Sequence, residues 1–108
     1  MSLAAVYGEY AGVQIGADDD AIDRAISEFA RVRGTTPARL RGSGRGQAIA
    51  ALRFELYALL RSRGVSYPRI GMALGKRDHS TVIHGVREYH RRVKLQKAQH
   101  VTALGAGL

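Results

Sequence analysis

Two helical patterns joined by a tight basic turn, between Ser66 and Val93, restrict this chain more than any other feature. In the second pattern Val82, Val86, Tyr89 and Val93 recur at spacings of four, three and four, so they share one helix face. Ser80, His84, Arg87 and Arg91 fall on the opposite face, with Thr81 and Glu88 at its edge. One side of this helix seeks a core, and the other presents hydroxyls, an imidazole and guanidinium groups. Asp78 or Ser80 is placed to cap its first turn, and Lys76 and Arg77 stand just before it. Free amides at a helix start, beside two cations, suit a phosphate.

The preceding segment opens on a capping Ser66 and carries Pro68 in its first turn, where a missing N–H costs nothing. Ile70, Ala73 and Leu74 form a small apolar face, and Gly75 suits a left-handed stop. A short helix, a tight turn and a longer helix make a helix-turn-helix, whose second helix is shaped to enter the major groove of DNA.

At 108 residues the chain is one small domain. It has no cysteine, which removes disulfides and thiolate metal sites. No apolar run approaches membrane-spanning length, and the N-terminus, with Glu9 and the Asp18 to Asp20 run, lacks a signal-peptide pattern. The net charge is +8 and unevenly spread. Residues 1–38 hold three Lys/Arg against six Asp/Glu, whereas residues 39–92 hold twelve against three. Positive charge thus gathers around the second helix, the footprint expected for a polyanion.

Read in order, residues 1–17 form an N-terminal lead, small and mildly apolar, in which Tyr7 and Tyr10 serve packing. Residues 18–93 form the helical domain, with the helix-turn-helix at 66–92, and residues 94–108 extend the last helix and fray from about Thr102. Asp18 to Asp20 cap a helix whose stripe is Ile22, Ala25, Ile26, Phe29 and Val32. Gly34 ends it. Thr36-Pro37 starts a short helical turn that plugs Leu40 into the core. Arg41 to Gly46 is a flexible cationic loop suited to dropping an arginine on the backbone or into the minor groove. Gln47 to Arg63 is the long core helix, with Ile49, Leu52, Leu56, Leu59 and Leu60 inward. Arg53, Arg61 and Arg63 lie at or beyond its edges, and Phe54 faces away, toward the N-terminal segment or a partner.

The run Lys76-Arg77-Asp78-His79-Ser80-Thr81-Val82-Ile83-His84, preceded by Ser66-Tyr67-Pro68-Arg69-Ile70-Gly71, resembles the signature of the C-terminal DNA-binding domain of DnaA, the bacterial replication initiator. The resemblance runs from about Ile22 to Arg92 and is sharp between Ser66 and Gly85. It implies an all-α fold, a small Trp-repressor-like helical bundle. It places base contacts on Asp78, His79, Ser80 and Thr81, and phosphate contacts on Lys76 and Arg77. His84, one turn along the exposed face, is placed to reach a base or a phosphate. It also implies a minor-groove arginine in the loop, assigned to Arg45 with Arg41 as the alternative. The family's Arg-Pro-Arg-Gln stretch is replaced here by Ala50-Ala51-Leu52-Arg53, which moves backbone contacts to Arg53 and Arg61. Arg69, Arg87 and Arg91 complete the expected set of backbone contacts.

The residue chemistry agrees with readout rather than catalysis. A threonine methyl packs on a thymine methyl, and a carboxylate accepts from a cytosine amine. His79, His84, His90 and His100 lack the spacing of a metal site, and the basic half holds only Glu55, Asp78 and Glu88 as carboxylates, too few for a nuclease. Gly71 to Arg77 is superficially like a P-loop, but it is a residue short, ends in Arg and follows no strand. The expectation is therefore a non-enzymatic protein without metal or cofactor, binding double-stranded DNA as a monomer in the bacterial cytoplasm, at the nucleoid. The chain opens on Met1 with residues unlike the family, which suggests a free-standing copy of the module.

A transcription regulator is the first role expected, of the kind that activates gene-transfer-agent or phage genes and engages RNA polymerase. A modulator of replication initiation that meets replication proteins, or the DNA-binding fragment of a divergent initiator, is the alternative. A basic protein-interaction domain using Phe54 and the N-terminal tyrosines is the third. With six to ten phosphate contacts, log affinity should fall with log salt at a slope of roughly −5 to −9.

Overall fold

The structure is a computed structural model that describes Ile15 and residues 18–106, with side chains through residue 98. Its described residues form five helices and no strand: α1 (Asp19–Arg33), α2 (Pro37–Arg41), α3 (Gln47–Ser62), α4 (Tyr67–Ala73) and α5 (His79–Ala106). The expected lead at residues 1–17, with Tyr7 and Tyr10, lies outside the described residues apart from Ile15. Ile15 is buried, and its amide donates to the Arg63 carbonyl at 2.8 Å.

Each helix start follows from its sequence. The Asp18 carboxylate accepts from the Ala21 amide at 3.2 Å, and Asp19 and Asp20 place negative charge where the helix dipole favours it. Thr36 and Ser66 cap α2 and α4 in the same way, each followed by a proline in the first turn. Helix α3 lacks a side-chain cap and begins on Gly46. Helix α5 begins directly after Asp78, whose carbonyl accepts from Thr81 and Val82 at 3.1 and 3.3 Å. It continues to Ala106.

Helix α3 is the centre. It packs most extensively on α5, while α1 and α2 cover its other flanks and α4 spans α3 and α5. Ile22, Ala25, Ile26 and Phe29 from α1, Leu40 from α2 and Leu56, Leu59 and Leu60 from α3 are all buried. So are Ile70, Leu74, Val82 and Val86. Each large side chain among them contributes about 1.5–3 kcal/mol, an upper figure given a partly collapsed unfolded chain. Leu52, expected inside, is only half-buried, whereas Tyr57 is 1% exposed. Burial raises the Tyr57 phenol above its ordinary pKa.

Gly85 explains the closeness of α3 and α5. A Cβ there would lie 2.6 Å from Tyr57 Cδ2 and 2.8 Å from Phe54 Cδ1. Phe54 is half-buried, and the N-terminal segment it was expected to meet lies outside the described residues. It is tilted against Tyr57, edge-on to His84, and capped by the Arg92 guanidinium at 5.4 Å. At the other side of α3, Arg33 of α1 grips Glu55 with two hydrogen bonds of 2.6 and 3.0 Å. That pair is mostly shielded, so its geometry matters more than its charge.

Farther along α5, Glu88 accepts from Arg91 and Arg92, and the Arg91 bond chiefly holds its carboxyl down at about 2. Its folded pKa lies below the usual 4.5, so this contribution is complete above that value and is lost as pH falls toward 2. A carboxyl carbon titration by NMR should find Glu88 with a midpoint near 2; a midpoint near 4.5 would contradict the cluster.

Candidate nucleic-acid interface

Helix α4, the turn 74–78 and α5 form the helix-turn-helix. The turn is held from inside. The Arg77 amide donates to the Gly71 carbonyl at 2.8 Å, and Gly75 and Lys76 both adopt left-handed backbone, φ 86° and 58°. Val82 is wholly buried beneath the turn. His79, Ser80, Thr81 and His84 are exposed at the start of α5, and Asp78 is exposed beside them. The Asp78 carboxylate lies 3.4 Å from His79 Nδ1, which orients the imidazole without burying either group. The five residues expected to meet bases are thus brought together on one solvent-facing tip.

The nine cations expected on the backbone divide into two sets. Arg45, Lys76 and Arg87 are exposed, and no partner of their charged groups is recorded among the described residues. The other six are engaged. Arg41 does not belong to the loop but ends α2, where it donates to the Ala73 carbonyl and pairs with Asp23, both at 3.1 Å. Arg69 pairs with Asp19. Arg61 stacks on Tyr67 at 4.7 Å and donates to the Val65 carbonyl, and Arg91 pairs with Glu88. Asp19 and Asp23 thus pair with Arg69 and Arg41 across the surface, in exposed ion pairs.

Arg53 and Arg77 depart furthest from expectation. Arg53 is buried, 6% exposed, and donates Nε to Leu40, Nη1 to Gly44, and Nη2 to Arg39 and Gly42, all carbonyls, at 2.5 to 3.1 Å. Burial and then the nearby Arg77 lower its pKa from the usual value. Arg77 donates to the carbonyls of Leu74, Arg41 and Gly42. The Arg53 guanidinium is enclosed, whereas Arg77 is half-buried and commits two nitrogens to carbonyls. A guanidinium supplies five donors in a planar fork, so it gathers several carbonyls that no lysine would span. Sequence reading missed this because a cation at a helix edge or before a helix ordinarily faces water.

Arg45 lies across a shallow cleft from α5, lined also by Gln47, Phe54, His84, Glu88 and Arg92. The exposed arginine of the loop and the exposed imidazole of α5 therefore border one concave surface. Among the described residues no group of His, Asp and Glu is arranged to hold a metal.

A basic cleft beside a solvent-facing helix tip, with the turn locked behind it, is a helix-turn-helix DNA-binding module. Residues 20–88 match the family described as bacterial dnaA protein helix-turn-helix, and the chain belongs to that family. It is 38% identical over 69 residues to the chromosomal replication initiator protein DnaA of Ruegeria sp. (strain TM1040). That match covers 61% of this chain and 14% of the initiator, so the chain spans a small part of its relative. No solved structure matches it. No described helix is long and apolar enough to cross a membrane.

Proposed function

We propose that this chain binds double-stranded DNA sequence-specifically, with the start of α5 in the major groove and Arg45 at the adjacent minor groove. The observation that carries this reading is the joint exposure of Asp78, His79, Ser80, Thr81 and His84 on a tip whose opposite face, Val82 and Val86, is buried. Side chains at the first turns of an inserted helix meet base edges, and hydroxyl, imidazole and carboxylate groups suit that contact. Lys76 supports a phosphate contact beside it. A non-glycine residue in left-handed backbone costs of order 1 kcal/mol, and here that strain keeps a cation at the helix start.

The sites bound would be of the kind an initiator reads, and the role would lie in replication initiation, as a modulator at such sites or as the DNA-binding part of an initiator. The match to a replication initiator favours this over a promoter-bound transcription regulator, for which the geometry is equally suited. The protein acts in the bacterial cytoplasm and binds as a monomer.

With six of nine expected cations engaged internally, about three phosphate contacts remain, and log affinity should fall with log salt at a slope of roughly −3. A slope near zero would overturn DNA binding. The role is tested by selecting bound sites from random duplex and mapping them on the genome. Clustering at the origin supports the replication reading, and clustering at promoters overturns it.

A further inference from the structure

Three arginines stitch the basic loop to the helix-turn-helix turn. Arg53, rooted in α3, holds the carbonyls on both sides of Ser43, Gly42 at 2.7 Å and Gly44 at 2.5 Å. Arg77, rooted in the turn, holds Gly42 from the other side at 2.5 Å. Arg41 ties the end of α2 to the Ala73 carbonyl at the end of α4. The two backbones also abut: a Cβ on Gly75 would lie 2.3 Å from the Arg41 carbonyl oxygen. A loop reading Gly-Ser-Gly-Arg-Gly would otherwise sample many conformations, since each glycine admits both signs of φ. Here it is pinned one residue before Arg45 by a guanidinium that is itself buried.

We propose that Arg53 and Arg77 are positioning residues that couple minor-groove reading by Arg45 to major-groove reading by the start of α5. The inference rests on the two-groove reading above. Neither arginine touches DNA. Together they fix the offset between Arg45 and the Asp78 to Thr81 tip, so that engaging one groove presents the other element already in place. Preorganisation of this sort raises affinity by removing the ordering cost at binding, and it makes the two contacts mutually dependent. Lysine cannot replace either residue, because a single ammonium does not reach carbonyls spread from Arg39 to Gly44 or from Arg41 to Leu74.

The test uses the full chain and a duplex selected by it from random sequence. Diaminopurine in place of each adenine flanking the core adds an amino group in the minor groove and leaves the major-groove face unchanged. Uracil in place of core thymines removes only the major-groove methyl. For the unmodified protein, diaminopurine at one flank should weaken binding about tenfold. In Arg53→Lys that penalty should fall below about twofold while the uracil penalty persists. Arg77→Lys, at a less buried position, should behave alike and carries the test if Arg53→Lys does not fold. A loosened fold lowers the active fraction for every duplex equally and leaves these ratios untouched. Retention of the full diaminopurine penalty in the folded variants overturns the coupling alone. Absence of the penalty in the unmodified protein overturns Arg45 as a minor-groove reader, and the coupling with it.

Discussion

Replacing Gly71 with alanine should cost the domain about 3 kcal/mol and lower its melting temperature by roughly 10–20 °C. The added Cβ would lie 2.1 Å from the Arg77 carbonyl oxygen and 3.6 Å from the Val82 side chain. The obstacle is backbone, so no rotamer change relieves it. Either α4 moves off the turn or the Arg77 peptide rotates, and rotation breaks the 2.8 Å bond from the Arg77 amide to the Gly71 carbonyl. Calorimetry checks the stability directly. A melting temperature within about 3 °C of the parent, too small a shift for a 1 kcal/mol loss, would show that α4 and the turn are not in this contact.

Arg53→Met should be comparably damaging, at about 2–4 kcal/mol. Methionine fills most of the volume, so the loss isolates the polar part. Four carbonyls, on Arg39, Leu40, Gly42 and Gly44, lose their donor, and the partly buried ones regain water only incompletely. Relief of the cation's burial and of its repulsion with Arg77 offsets some of that cost. Hydrogen exchange adds a local signature, because protection of the amides around residues 39–46 should fall further than that of Leu56 to Leu60. Uniform loss across the domain would mean that Arg53 is a general core residue and not the anchor of the loop.

Sequence alone revealed those parts of the fold and site that local periodicity governs. Val82, Val86 and Tyr89 on α5, or Ile22, Ile26 and Phe29 on α1, repeat with the helix and announce which side is buried. Asp18, Thr36 and Ser66 announce the helix starts for the same local reason, and the exposed tip of α5 follows from the stripe opposite it. What stayed hidden depends on partners distant in the chain. Arg77 meets Gly42 across 35 residues, Arg33 meets Glu55 across 22, and Arg69 meets Asp19 across 50. None of these pairs leaves a periodic trace. Helix α3 was misread for a related reason. It is covered on several flanks, so Arg53 and Tyr57 are enclosed even though they lie off the main stripe. A basic stretch was thus legible as basic, but which of its arginines face outward was not.

Thr81 offers the most direct test of base reading by the start of α5. Binding should be measured for the parent and Thr81→Ala on a duplex selected from random sequence and on an unselected duplex at the same salt. The variant should bind the selected duplex about 5- to 150-fold more weakly and the unselected duplex unchanged. Equal losses on both duplexes would contradict the reading, because Thr81 would then serve only the fold or the phosphate backbone.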